Sequence, residues 1–171
     1  MHHDGVSTTT NITGNVSSRK HKNYSAPFYK RASLRFSCTQ CGACCKGSPD
    51  YQVWLEDSEP EKIREFLDIS RSWLYRRYVM RLARNEQVLR SLPDGNCIFL
   101  DGEGRCGIYP VRPQQCASYP FWPEVVTSSK AWHREARRCE GIDRGEPVAI
   151  KKIEAIMFMQ QKKPDDSSSG Q

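Results

Sequence analysis

The sequence predicts a small α+β domain organised around cysteine. Three observations carry that expectation. Eight cysteines occur in 171 residues, and four fall in one run, Cys38-Thr39-Gln40-Cys41-Gly42-Ala43-Cys44-Cys45. Short apolar runs bounded by Gly and Pro read as strands a few residues long. Longer stretches repeat apolar residues at helical spacing. The apolar fraction is 37%, below the ~45–50% (Gly included) of ordinary domains, so the core is modest and needs staples.

In chain order, residues 1–32 are rich in Ser, Thr, Asn and basic side chains and read as a disordered leader, His2 and His3 included. Up to residue 36 the chain carries Arg19, Lys20, Lys22, Lys30, Arg31 and Arg35 against Asp4 alone, a net +5 of the total +6. That basic, acid-poor composition also suits organellar import through residues 1–36. The metal-organised domain is expected over residues 33–163, with a disordered tail over 164–171. Leu34-Arg35-Phe36 alternates like a strand entering the cysteine run, and Tyr51-Gln52-Val53-Trp54-Leu55 like one leaving it. Gly42, Gly47 and Pro49 permit tight turns between them.

A helix is expected from Asp57 or Ser58, with Pro60 in its first turn, Glu59 and Glu61 at the positive end of its dipole, and Ile63, Phe66 and Leu67 on its apolar face. Ser70 caps a second helix over residues 71–83, on which Leu74, Tyr78 and Leu82, with Trp73 beside them, read as core. Residues 96–109 present two apolar runs around Asp101-Gly102-Glu103-Gly104, the pattern of a hairpin with Cys97 and Cys106 on its two strands. Residues 111–116 form a turn or short helix. Arg134, Arg137 and Arg138 are either a solvated face or partners for negative charge near Cys139. A last helix is expected over 147–161, with Ile150, Ile153, Ile156 and Met157 inward.

Cysteine spacing carries the chemistry. Two-residue spacing lets thiolates converge on one ion. An even count also allows four disulfides, and free redox thiols are a third reading. No secretory signal is visible, which favours thiolate ligands and an intracellular, cytoplasmic chain. Cys38-x2-Cys41-x2-Cys44 matches the first three ligands of a bacterial ferredoxin run, but position 48 is Ser and Cys45 arrives early. Adjacent Cys44 and Cys45 diverge more readily than they share one ion. By count, Cys38, Cys41, Cys44, Cys45, Cys97, Cys106, Cys116 and Cys139 make two four-thiolate sites; a single site with spare cysteines is the alternative. The ion is zinc or iron, or an iron–sulfur cluster.

Other classes find little support. Cys41-Gly42-Ala43-Cys44 lacks the βαβ context of a thiol oxidoreductase. His133 sits in a basic stretch with no nucleophile motif around it. No Walker loop, dinucleotide fingerprint or H-E-x-x-H is present, and no run spans a membrane. The charge outside the leader is near neutral, so no nucleic-acid footprint is expected.

The run Cys38-x2-Cys41-x2-Cys44-Cys45, then Cys97, then Cys106-x-Ile108-Tyr109-x2-Arg112-Pro113-x2-Cys116-x2-Tyr119-Pro120-Phe121-Trp122, resembles the CxxCxxCC or YkgJ-like zinc- or iron-chelating domains over residues 34–142. The resemblance implies metal chelation, carried most directly by Cys38, Cys41, Cys44, Cys45, Cys106 and Cys116, with Cys97 and Cys139 fitting the pattern. The motif is also similar to that of flagellin lysine N-methylases, which implies a cluster-bound iron role in that branch. No segment here reads as a site for a methyl donor or a flagellin. Pro113 then stiffens the approach to Cys116, and Arg112 donates to a carbonyl or balances thiolate charge. The expected function is metal binding, with an iron–sulfur redox or protein-methylation accessory and a metal-stabilised adaptor for a protein partner as alternatives.

Overall fold

A computed structural model describes residue 1 and residues 26–47 and 52–161. The rest of the expected leader and the tail lie outside them. Residues 28–31, which composition assigns to the leader, form a helical turn, α1 (Phe28–Arg31), and Tyr29 is buried in the core. Strand β1 (Arg35–Phe36) enters the cysteine run, and Ala43–Cys45 form one 3-10 turn. Strand β2 (Trp54–Leu55) follows; Tyr51, expected in the same strand, is not among the described residues.

Helix α2 (Glu59–Phe66) starts where expected, but Ser58 makes no side-chain cap. The buried carboxylate of Glu59 instead binds two amides outside the helix. One oxygen accepts from the Glu56 amide at 2.8 Å, and the other accepts from the Gln114 amide at 2.6 Å. Glu59 thereby ties α2 to the start of α4 (Gln114–Ser118), which carries Cys116. Replacing it with Ala leaves two amides without partners. Glu59→Ala is expected to cost about 2–3 kcal/mol, read as a lower urea midpoint with unchanged slope.

Ser70 caps α3 (Arg71–Arg77), accepting from the Trp73 amide at 3.2 Å. The helix stops there rather than running to residue 83, because Val79–Arg81 leave it as strand β3. Strand β3 pairs antiparallel with β4 (Gln87–Leu89), which pairs on its other edge with β2. The apolar residues of 79–82 therefore serve a sheet. Trp73, expected in the core, is 48% exposed.

Of the expected hairpin over 96–109, one isolated bridge forms, Leu100 with Cys106, while Cys97 bridges to Ser91 outside it. Its turn is real: the Asp101 carboxylate accepts from the amides of Glu103 (3.0 Å) and Arg105 (2.7 Å). Side-chain hydrogen bonding there adds to the backbone pairing of Asp101 with Arg105 and of Phe99 with Gly107. Beyond α4 come α5 (Pro123–Val126) and α6 (Ser129–Ala136). Strand β5 (Ile142–Pro147) was not expected, and it pairs with β1. Pro147 ends that strand, so the last helix, α7, spans Ile150–Gln161. Ile153 and Met157 point inward as expected, whereas Ile150 is 43% exposed.

Helices and small antiparallel sheets make this the α+β domain the sequence predicts. The apolar side chains form two clusters. One gathers Tyr29, Leu34, Phe121, Val126, Trp132, Ile153 and their neighbours around β1, β5 and the later helices. The other gathers Leu55, Ile63, Leu74, Val79, Leu89 and Ile108 around the three-stranded sheet. Among the described residues, no helix is long and apolar enough to cross a membrane.

Candidate metal centre

All eight cysteines line one cavity, and its wall draws on both apolar clusters: Phe36 and Tyr119 from one, Leu89 and Ile108 from the other. The cavity volume is about 60 Å³. Sites for organic ligands run ~300–1,000 Å³, so this one suits an inorganic group. All eight thiols are free, none joined in a disulfide.

The backbone of each contributing segment explains the convergence. Gly42 adopts φ +67°, which turns the chain sharply into the 3-10 turn that presents Cys44 and Cys45. The Cys45 carbonyl accepts from the Cys97 amide at 2.8 Å, pinning the two segments together. The bridge at Cys106 and the Asp101 turn place Cys106 beside them. Cys116 rides on α4 behind the fully buried Pro113. Pairing of β1 with β5, extended by the Ser37 amide donating to the Gly141 carbonyl at 3.0 Å, sets Cys38 near the turn that holds Cys139.

Within the cavity Cys45 is the hub. Its thiol is in hydrogen-bonding contact with Cys106, Cys44 and Cys97, and these contacts raise its pKa well above the ordinary thiol value. Cys44 and Cys106 are each lowered to about 7, first by the contact with Cys45 and further by the positive charge of Arg112. Cys97 is lowered by the same contact with Cys45. The thiols of adjacent Cys44 and Cys45 are in hydrogen-bonding contact. Cys116 lies within electrostatic range of Cys97, Cys44 and Cys106, and burial pushes its thiol up.

The remaining three thiols have other neighbours. Burial raises Cys139, which contacts the Tyr119 hydroxyl and feels Cys41. Cys38 contacts the Tyr109 hydroxyl and raises its pKa. Tyr119 is itself raised, chiefly by burial, and donates to Glu135 at 2.7 Å.

Two arginines border the thiols. Arg112 stacks 3.9 Å from the Tyr109 ring centroid and lines the cavity. Arg138 donates to the carbonyls of Ala43 and Lys46, clamping the 3-10 turn, and its charge lowers Cys44. Of the arginines near Cys139, Arg138 is thus the one turned to the thiols. His133 stays exposed, contacting only Ser129 and the Phe28 ring among the described residues. Sequence reasoning missed Tyr109 and Tyr119 as thiol contacts. Tyr109 could have been found from its position three residues before Arg112; Tyr119 carries no local signal, since Cys139 lies far downstream.

Soft sulfur donors, an apolar wall and flanking guanidiniums are a donor set that fits zinc, iron or an iron–sulfur cluster. As the thiols stand, no three ligand-type side chains among the described residues are already grouped as a bound ion would group them. No solved structure matches the chain. A family model does: CxxCxxCC, described as "Putative zinc- or iron-chelating domain", matches residues 37–140. That span reaches from the residue before Cys38 to the residue after Cys139, so it takes in every cysteine lining the cavity, and the chain belongs to the CxxCxxCC family.

Proposed function

We propose that the chain is a metal-binding protein whose eight cysteines hold zinc or iron at the junction of its two apolar clusters. One observation carries this reading: eight free thiols from separate segments line a single cavity too small for an organic substrate. Cys45, Cys44, Cys97 and Cys106 form the principal ligand group, with Cys116 beside it, and Cys38, Cys41 and Cys139 form the second. Arg112 and Arg138 offset the thiolate charge. The bound metal supplies cross-links that a 37% apolar composition supplies poorly.

A second reading rests on the shared cavity. Two closed zinc sites need no common space, whereas a cluster draws its cysteines around one volume. An iron–sulfur centre would make the chain an electron-transfer or protein-methylation accessory. A third, a metal-stabilised adaptor, leaves the centre purely structural.

The test is zinc, iron and acid-labile sulfide per chain, on protein purified without oxygen or chelators. Iron with matching sulfide and a visible absorption band supports the cluster. Colourless protein with stoichiometric zinc supports the structural centre. Full metal content in both Cys44→Ser and Cys116→Ser would sink the ligand assignment.

A further inference from the structure

Residues 71–90 hold six arginines against Glu86 alone. Three of them, Arg71, Arg81 and Arg90, line one open groove between α3 and the β3–β4 pair, with Ser72 and Tyr75. No cysteine and no carboxylate lines it. Its volume, about 550 Å³, falls in the range of small-ligand sites, ~300–1,000 Å³. We propose that this groove binds a phosphate-bearing small molecule.

Two of the guanidiniums lie over the Tyr75 ring, and the third bonds the Tyr75 backbone. Arg81 lies 4.4 Å and Arg71 5.9 Å from the Tyr75 ring centroid. The Tyr75 hydroxyl donates to Gln87 at 2.6 Å, which fixes the ring against β4. Arg90 donates to the Tyr75 carbonyl at 3.4 Å, and its Nε is the one buried side-chain nitrogen or oxygen among the described residues that finds no partner. None of the three arginines has an acidic partner among the described ion pairs. Gathering like charges is unfavourable unless an anion answers them.

The chemistry selects phosphate. A guanidinium presents a planar fork that matches phosphate oxygens two at a time. One carboxylate satisfies one such fork, whereas a phosphate or pyrophosphate offers enough oxygens for three. A polynucleotide fits less well. Strand binders need open aromatic faces for base stacking, and here guanidiniums already crowd the Tyr75 ring.

The experiment is calorimetric titration of inorganic pyrophosphate into the full, metal-loaded chain at low salt. Saturable one-to-one binding is expected, weakened about tenfold or more in R71Q/R81Q. The control R76Q/R77Q removes the same charge from exposed residues that do not line the groove, and it should bind like the native chain. Both double variants alter side chains at the surface, and circular dichroism confirms that each is folded. Absence of saturable binding overturns the proposal. Equal loss in R76Q/R77Q also overturns it, because diffuse charge then explains the binding. A single-stranded RNA oligonucleotide binding far more tightly than pyrophosphate would replace the small-molecule site with a nucleic-acid surface.

Discussion

Replacing Cys45 with Ser is expected to remove most of the bound metal and, with it, much of the helical signal. Cys45 is in hydrogen-bonding contact with Cys106, Cys44 and Cys97. A serine hydroxyl keeps the shape but is a poor ligand for zinc or iron. Apparent binding energies of structural zinc, ~10–16 kcal/mol in zinc-finger peptides, rival the whole stability of a domain, ~5–15 kcal/mol. The cavity here also joins the two apolar clusters, through Phe36 and Tyr119 on one side and Leu89 and Ile108 on the other. Losing the metal should therefore let the clusters separate. Metal content per chain and far-ultraviolet circular dichroism check this together. Native metal content and an unchanged thermal midpoint in Cys45→Ser would show that the hub is not a ligand.

Gly42→Ala is expected to destabilise the metal-loaded chain by about 4 kcal/mol or more, a size reserved for a strained or overpacked site. Two effects add. The backbone φ of +67° lies in the left-handed region, which costs an alanine roughly 1–2 kcal/mol. A Cβ built there meets the Gly104 carbonyl oxygen at 2.0 Å and Leu100 Cδ1 at 2.8 Å. The side chain of Leu100 can move, but the Gly104 carbonyl belongs to a turn held by Asp101. Relief then requires the cysteine run to back away from Cys106. Gly102→Ala is the internal control, since nothing lies within 4 Å of a Cβ at Gly102; its effect should stay within about 0.5 kcal/mol. Urea melts of the two variants beside the native chain decide the matter, and equal midpoints would show that the 3-10 turn tolerates displacement.

Much of the local structure was legible. Ser70 announced the start of α3 through a cap that needs only its own next turn. The inward positions of α7, Ile153 and Met157, followed from helical period. The Asp101 turn followed from Asp-Gly chemistry. What failed was the extent of elements whose limits are set from outside. Val79–Arg81 carry residues that suit a helix, yet β4 offers them a ladder, and α3 ends early. Strand β5 has no alternating pattern, only Ile142 buried and polar exposed residues after it, so nothing local marked it. Glu59 read as a dipole-compensating residue, and its second bond, to the Gln114 amide, depends on a segment far along the chain.

By itself, the sequence determined that thiols would dominate the site and that the chain belongs to a zinc- or iron-chelating family, because ligand chemistry and short spacing are written in adjacent residues. It also determined where α2, α3 and α7 would begin or turn their apolar faces, since caps and helical period are local. Only the tertiary structure decided that Cys97, Cys106, Cys116 and Cys139 meet the first four in one cavity, that Cys45 is their hub, and that Tyr109, Tyr119, Arg112 and Arg138 surround them. The reason is contact range. Those neighbours are brought together by the pairing of β1 with β5 and by two apolar clusters closing on the same cavity, and such long-range contacts leave no periodicity in the chain.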